Sequence, residues 1–186
     1  AIAMLRANNP CGVNDEAIGC ILAGMEGRRE EAMPLLSMAL LRHISGLIQI
    51  VGKFGDIYED RGRLDQADEV FAWITPFLQG MERPGQVSYL TKYRAAALGC
   101  RAQIAWKSGQ KTDAEAFLRE ALALADRFDA APNYRADALR WYEGPDTAMA
   151  YDSMGATARA AVRQVFTQQG EDPEAGAFLT AFESEN

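Results

Sequence analysis

Gly27, Gly62, Gly109 and Gly170 are each followed, five residues on, by an alanine that heads an apolar helical stripe: Ala32, Ala67, Ala114 and Ala175. No other feature limits this chain so strongly. Glycine enters the left-handed backbone region at little cost, so it lets a chain reverse after one helix. A small residue at a fixed offset lets the returning helix come close. Each pair therefore marks a hairpin of two helices. Its recurrence marks a repeat architecture, in which no unit buries its apolar face without a neighbour.

Strand signals hardly occur: there is no sustained alternation and no Asn-Gly or Asp-Gly turn. The expected fold is all-α, a right-handed stack of about four helical hairpins. These fall at residues 14–44, 46–80, 86–129 and 147–184, with an irregular insert at 130–146 before the last hairpin. The chain is read as one domain, residues 1–186, long enough to bury a continuous core. Helix starts are marked by Thr112-Asp113-Ala114-Glu115, a capping-box pattern, and by Asp172-Pro173, an N-cap before a first-turn proline. Asp65 and Asp68 place negative charge at the start of another helix. Pro84-Gly85 and Pro132-Asn133 separate hairpins, and a short helix is expected at 135–142 within the insert.

Composition narrows the partners. A net charge of −7 argues against this chain holding a phosphate backbone by itself. No uninterrupted apolar run approaches the ~20 residues that cross a bilayer, and residues 1–10 lack the layout of a signal peptide. The chain begins at Ala1, as a processed product or a piece of a longer protein would. Three cysteines, Cys11, Cys20 and Cys100, show no metal-type spacing, which points to free, mostly buried thiols in a reducing cytoplasm.

The segment Phe54-Gly55-x-x-Tyr58-x-x-x-Gly62-x-x-x-x-Ala67-x-x-x-Phe71 resembles the tetratricopeptide repeat signature. Gly55 and Ala67 stand where the two helices of a hairpin touch, and Tyr58 and Phe71 fill space between neighbours. The unit around Gly109 keeps the small residues with fewer of the large ones, and those at Gly27 and Gly170 keep the turn and second helix. Irregular spacing and Val51, at a position often held by Trp, depart from the pattern. A second stretch carries Phe128, Tyr134, Trp141, Tyr142 and Tyr151 interleaved with arginines. It is similar to the C-terminal sensor region of bacterial transcription regulators with a helix-turn-helix head of the MerR or a related type.

Catalytic chemistry finds little footing. The only histidine, His43, has Ser45 two positions away, on a different helix face. Gly52-Lys53-Phe54-Gly55 lacks the glycine spacing and hydroxyl of a phosphate loop. Acidic pairs such as Glu59/Asp60 read as solvated charge. No catalytic residue, metal site or cofactor is expected. The tetratricopeptide resemblance implies that the first helix of each hairpin lines a binding face. By register that face presents Lys53 and Asp56, then Gln103, Trp106 and Lys107, then Gln164 and Gln168. Tyr134, Trp141 and Tyr142 join the candidate site, either as a pocket or as a cap packed on the third and fourth hairpins.

The expected function is a non-enzymatic module that binds a peptide, protein or small-molecule effector. The sensor-region resemblance implies the regulatory domain of a bacterial transcription regulator, with no direct nucleic acid contact by this chain. A protein-interaction scaffold or secretion-type chaperone is the alternative, an enzyme the rival of another class. A homodimer is left open.

Overall fold

A computed structural model describes residues 2–9, 12–82, 87–131 and 157–185, and every element among them is helical. The helices are α1 (Ile2–Ala7), α2 (Asp15–Ala23), α3 (Arg29–Asp60), α4 (Leu64–Met81), α5 (Tyr89–Lys107), α6 (Lys111–Asp129), α7 (Ala158–Phe166) and α8 (Pro173–Glu185). A 3₁₀ turn, Gln168–Gly170, follows α7. The expected insert at 130–146, its short helix at 135–142 and the start of the fourth hairpin at 147–156 lie almost wholly outside the described residues. The described chain divides into two compact units, residues 2–47 and residues 48–131 with 157–185.

All four turn glycines adopt left-handed backbone angles, with φ of 76° at Gly27, 68° at Gly62, 74° at Gly109 and 92° at Gly170. At Gly62 the amide donates to the Glu59 carbonyl (2.8 Å), and the Arg63 amide reaches back to that of Tyr58 (2.8 Å). The same double closure recurs at Gly109, where Gln110 donates to Ala105 and Gly109 to Trp106, both at 2.9 Å. These bonds satisfy carbonyls that a helix end leaves open. The four paired alanines, Ala32, Ala67, Ala114 and Ala175, are all buried.

One expected boundary does not exist. The second helix of the first hairpin and the first helix of the second were to meet at residues 45–46, yet α3 runs through them as one helix of 32 residues. Gly46 is the only candidate breaker there. A glycine inside a helix costs ~1 kcal/mol against alanine, which weakens a helix without ending it. Although no uninterrupted apolar run approaches the length of a bilayer span, α3 taken whole is, by length and composition, long and apolar enough to cross one. An 18-residue window of α3 reaches a mean hydropathy of 1.5. Arg42 and His43 interrupt the apolar letters without lowering the mean below a spanning value.

In the first unit, Ile18, Leu22 and Ala32 form a small core, with Leu35 and Leu36 packed against it. Gly19 allows the approach of α2 to α3: a Cβ there would stand 2.8 Å from Leu36 Cγ. Asp15, buried at the start of α2, receives Arg42 (2.6 Å) and the Asn9 amide (2.9 Å). Arg42 also donates to the Gly12 carbonyl.

In the second unit α4 packs on α5, α5 on α6, and α7 on both α5 and α6. Gly55 lies against Phe71, for a Cβ on Gly55 would fall 2.5 Å from the Phe71 ring. The main core joins Leu98, Ala102, Leu118, Ala121, Val162, Phe166 and Leu179. The capping box expected at Thr112 is absent, because α6 begins at Lys111, one residue earlier, and its N-cap Gln110 makes no side-chain bond. A capping box forms instead between Ser88 and Thr91 of α5. Asp172 caps α8 as expected, accepting from the amides of Glu174 (3.0 Å) and Ala175 (2.9 Å). Asp129, at the end of α6, accepts from the amides of Ala158 (2.7 Å) and Arg159 (3.0 Å) and so places a carboxylate at the positive end of α7.

Candidate binding cleft

Three helices of the second unit each turn one polar face toward a common hollow. From α3 come Gly52, Asp56, Glu59 and Asp60, spaced so that they share one side of the helix. From α5 come Cys100, Gln103 and Lys107. From α7 and the turn after it come Ala161, Gln164, Val165, Gln168 and Glu171, and Phe71 of α4 closes the remaining side. The cleft has a volume of about 710 Å³, within the range of small-ligand and peptide sites.

Small residues make the approach of these helices possible. Gly55 admits the Phe71 ring, and Gly99 lies against α7, where an added Cβ would be 3.5 Å from Val162 Cγ1. The cleft is acidic. Asp56, Glu59, Asp60 and Glu171 face one lining cation, Lys107, whose Nζ lies 2.6 Å from Glu59. Lys53, on the rim side of α3, takes up Asp56 at 2.8 Å. Asp60 and Glu171 have no cationic partner among the described residues.

Two side chains sit deeper. Gln103 is 8 % exposed, lines the cleft, and its side chain makes no hydrogen bond to a described residue. Cys100 is a half-buried free thiol at the cleft wall. Burial, reinforced by the Glu59 and Asp56 carboxylates, pushes its pKa up to about 12, so it is a neutral thiol at ordinary pH.

Five of the positions expected on the binding face meet here: Asp56, Gln103, Lys107, Gln164 and Gln168. Lys53 touches the group only through Asp56, and its side chain is 80 % exposed. Trp106 belongs elsewhere. Its ring packs against Phe178 (4.7 Å between centroids) and Phe166 (6.1 Å), and its indole N–H donates to Asp172 (3.2 Å). Tyr134, Trp141 and Tyr142 lie outside the described residues. Glu59, Asp60, Cys100 and Glu171 were missed. Glu59 and Asp60 follow Asp56 by three and four positions, so helical periodicity alone would have placed them on its face.

Other expectations change in detail. Asp68 serves α5 rather than its own helix start, holding Arg101 through two bonds of 2.8 and 3.1 Å while that guanidinium stacks on Phe117. Cys20 is exposed instead of buried. His43 pairs with Glu16 at 2.8 Å on an open surface, with no nucleophile shown bonded to it. Among the described residues no cluster of three His, Cys, Asp or Glu side chains could hold a metal. The chain matches no family of known proteins, no curated protein and no solved structure.

Proposed function

We propose that this chain is a non-enzymatic binding module built as a tetratricopeptide-like stack of helical hairpins, whose cleft receives a segment of a partner. The observation that carries this reading is the convergence of Asp56, Gln103, Lys107, Gln164 and Gln168 on one hollow. Asp56, Gln103, Lys107 and Gln164 come from the first helices of three successive hairpin units, and Gln168 from the turn that follows the third. The packing of α4 on α5, of α5 on α6, and of α7 on both α5 and α6 is the kind of neighbour pattern such a stack requires.

The cleft chemistry favours binding over catalysis. A nucleophile needs an adjacent base or a lowered pKa. Cys100 has the reverse, a thiol held neutral by burial and by carboxylates. Within the binding class we favour the regulatory domain of a bacterial transcription regulator, acting in the cytoplasm without touching nucleic acid itself. The interaction scaffold or secretion-type chaperone is the alternative. The Arg42–Asp15 pair and the Arg42 bond to Gly12 fall within the apolar stretch of α3. They support a helix packed on protein rather than one exposed to lipid.

A photo-crosslinking amino acid placed at Gln164, inside the cleft, tests the site. It should trap a partner segment from cell extract that the same group at Gln66, outside the cleft, does not. Equal trapping at both positions would place binding elsewhere.

A further inference from the structure

Resting on the cleft as the binding site, we infer that its ligand is an extended polypeptide segment carrying lysine or arginine side chains. The first support is an uncompensated charge. Lys107 and Lys53 are already engaged with Glu59 and Asp56, which leaves Asp60 and Glu171 facing the cleft from α3 and from the turn after α7 with no cation opposite them. Such a field raises the arrival rate of cations and repels acidic segments.

The second support is independent of charge. Gln103 is nine-tenths buried, lines the cleft and has no hydrogen-bond partner. Its amide atoms are not among the fully buried unsatisfied ones, so they open onto the cleft, where a ligand can take the place of water. Its carbonyl and NH₂ together match a peptide unit, which offers one donor and one acceptor. Gln164 and Gln168, four positions apart across the cleft, add two more amides of the same kind. A free amine would use the carboxylates and leave three amides idle. A peptide uses both sets: main chain on the glutamines, basic side chains on Asp60 and Glu171. The volume of about 710 Å³ exceeds what one side chain fills.

The test is selection of short random peptides displayed on phage against the full chain, against the double variant Asp60→Lys/Glu171→Lys, and against Gln103→Leu. Both carboxylates are on exposed residues, so the charge-reversed chain should fold, which circular dichroism checks. The parent should enrich lysine and arginine over aspartate and glutamate, and the charge-reversed chain should invert that preference. Synthesised parent-selected peptides should weaken about tenfold or more when salt rises from about 0.05 to about 0.5 M. Gln103→Leu should weaken them without changing the preferred charge. Enrichment of neutral or acidic peptides that still depends on Gln103 would overturn the basic ligand while keeping the cleft. Enrichment indifferent to all three substitutions, or none at all, would overturn the cleft reading itself. Spermine is the remaining arm: displacement of peptide by spermine at equal concentration would make a small polyamine the ligand and overturn the peptide assignment.

Discussion

The two units use one device to different depths. Both turn on a left-handed glycine followed by a buried alanine, Gly27 with Ala32 in the first and Gly62, Gly109 and Gly170 with their partners in the second. Around Ala32 the described core cluster holds just Ile18 and Leu22 besides it. Around Ala175 the core extends through Leu98, Leu118, Val162, Phe166 and Leu179, and Trp106, Phe178 and Phe182 add rings to it. The turn therefore fixes where the chain reverses. How firmly the hairpin stands depends on what is stacked beside it, as expected when burial is the dominant stabilising term.

The largest expected effect tests that contrast. Phe166→Ala removes a fully buried ring and should cost ~3–5 kcal/mol. Leu22→Ala, though equally buried, should cost about 2 kcal/mol, at the low end of its range, because half-buried Leu35 and Leu36 can close on the space. Urea unfolding of both variants decides it, and a reversed order would end the claim that the second unit holds the deeper core.

Overpacking comes next. Ala67→Leu and Ala114→Leu add bulk at positions of 0 % exposure and should each cost ~1–3 kcal/mol in thermal melts. Ala32→Leu should cost less, since the core around it is small. Parent-like melting of Ala114→Leu would show that the alanine register carries no packing role.

The turns themselves should matter less. Gly109→Ala meets no atom within 4 Å of its new Cβ, so its cost is only that of holding alanine at φ 74°, about 1–2 kcal/mol. Gly27→Ala is equally uncrowded at φ 76° and should match it. Unequal losses at the two turns would mean that more than backbone angle separates the units.

The cysteines give the smallest contrast. Cys20 of the first unit is exposed, whereas burial and two carboxylates hold the Cys100 thiol neutral. Alkylation near pH 8 should mark Cys20 before Cys100. Folding raises the Cys100 pKa from 9.0 to about 12. Its stabilisation is therefore complete below about pH 9 and is lost as pH rises toward 12, where the unfolded chain ionises its thiol and the folded chain does not. Cys100→Ala should flatten that part of the stability curve, and an unchanged slope would remove the buried-thiol argument.

Much of this was legible in the letters, for physical reasons that differ from place to place. The four turns were readable because glycine alone accepts positive φ cheaply, and alanine has one size. The missing boundary in α3 was not, because a glycine's ~1 kcal/mol penalty is settled by neighbours far along the chain. Asp56, Gln103 and Lys107 were found by helical register, which also implied Glu59 and Asp60. Trp106 shows the limit. Its position near a helix end fits a binding anchor and a packing ring equally, and the choice rests on Phe166, Phe178 and Asp172.

That indole has a consequence for biosynthesis. Asp172, which accepts its N–H, lies 66 residues downstream. At ribosomal rates of 5–20 residues per second, roughly 3–13 s separate the two on the growing chain. During that interval α5 and α6 have their turn but lack the rings that will cover Trp106. The nascent third hairpin thus presents an unfinished aromatic surface to chaperones or to neighbouring chains. A chain stopped at residue 131 should bind more of an apolar-surface dye, mole for mole, than the full-length protein, and equal binding would show that the surface is covered by other means.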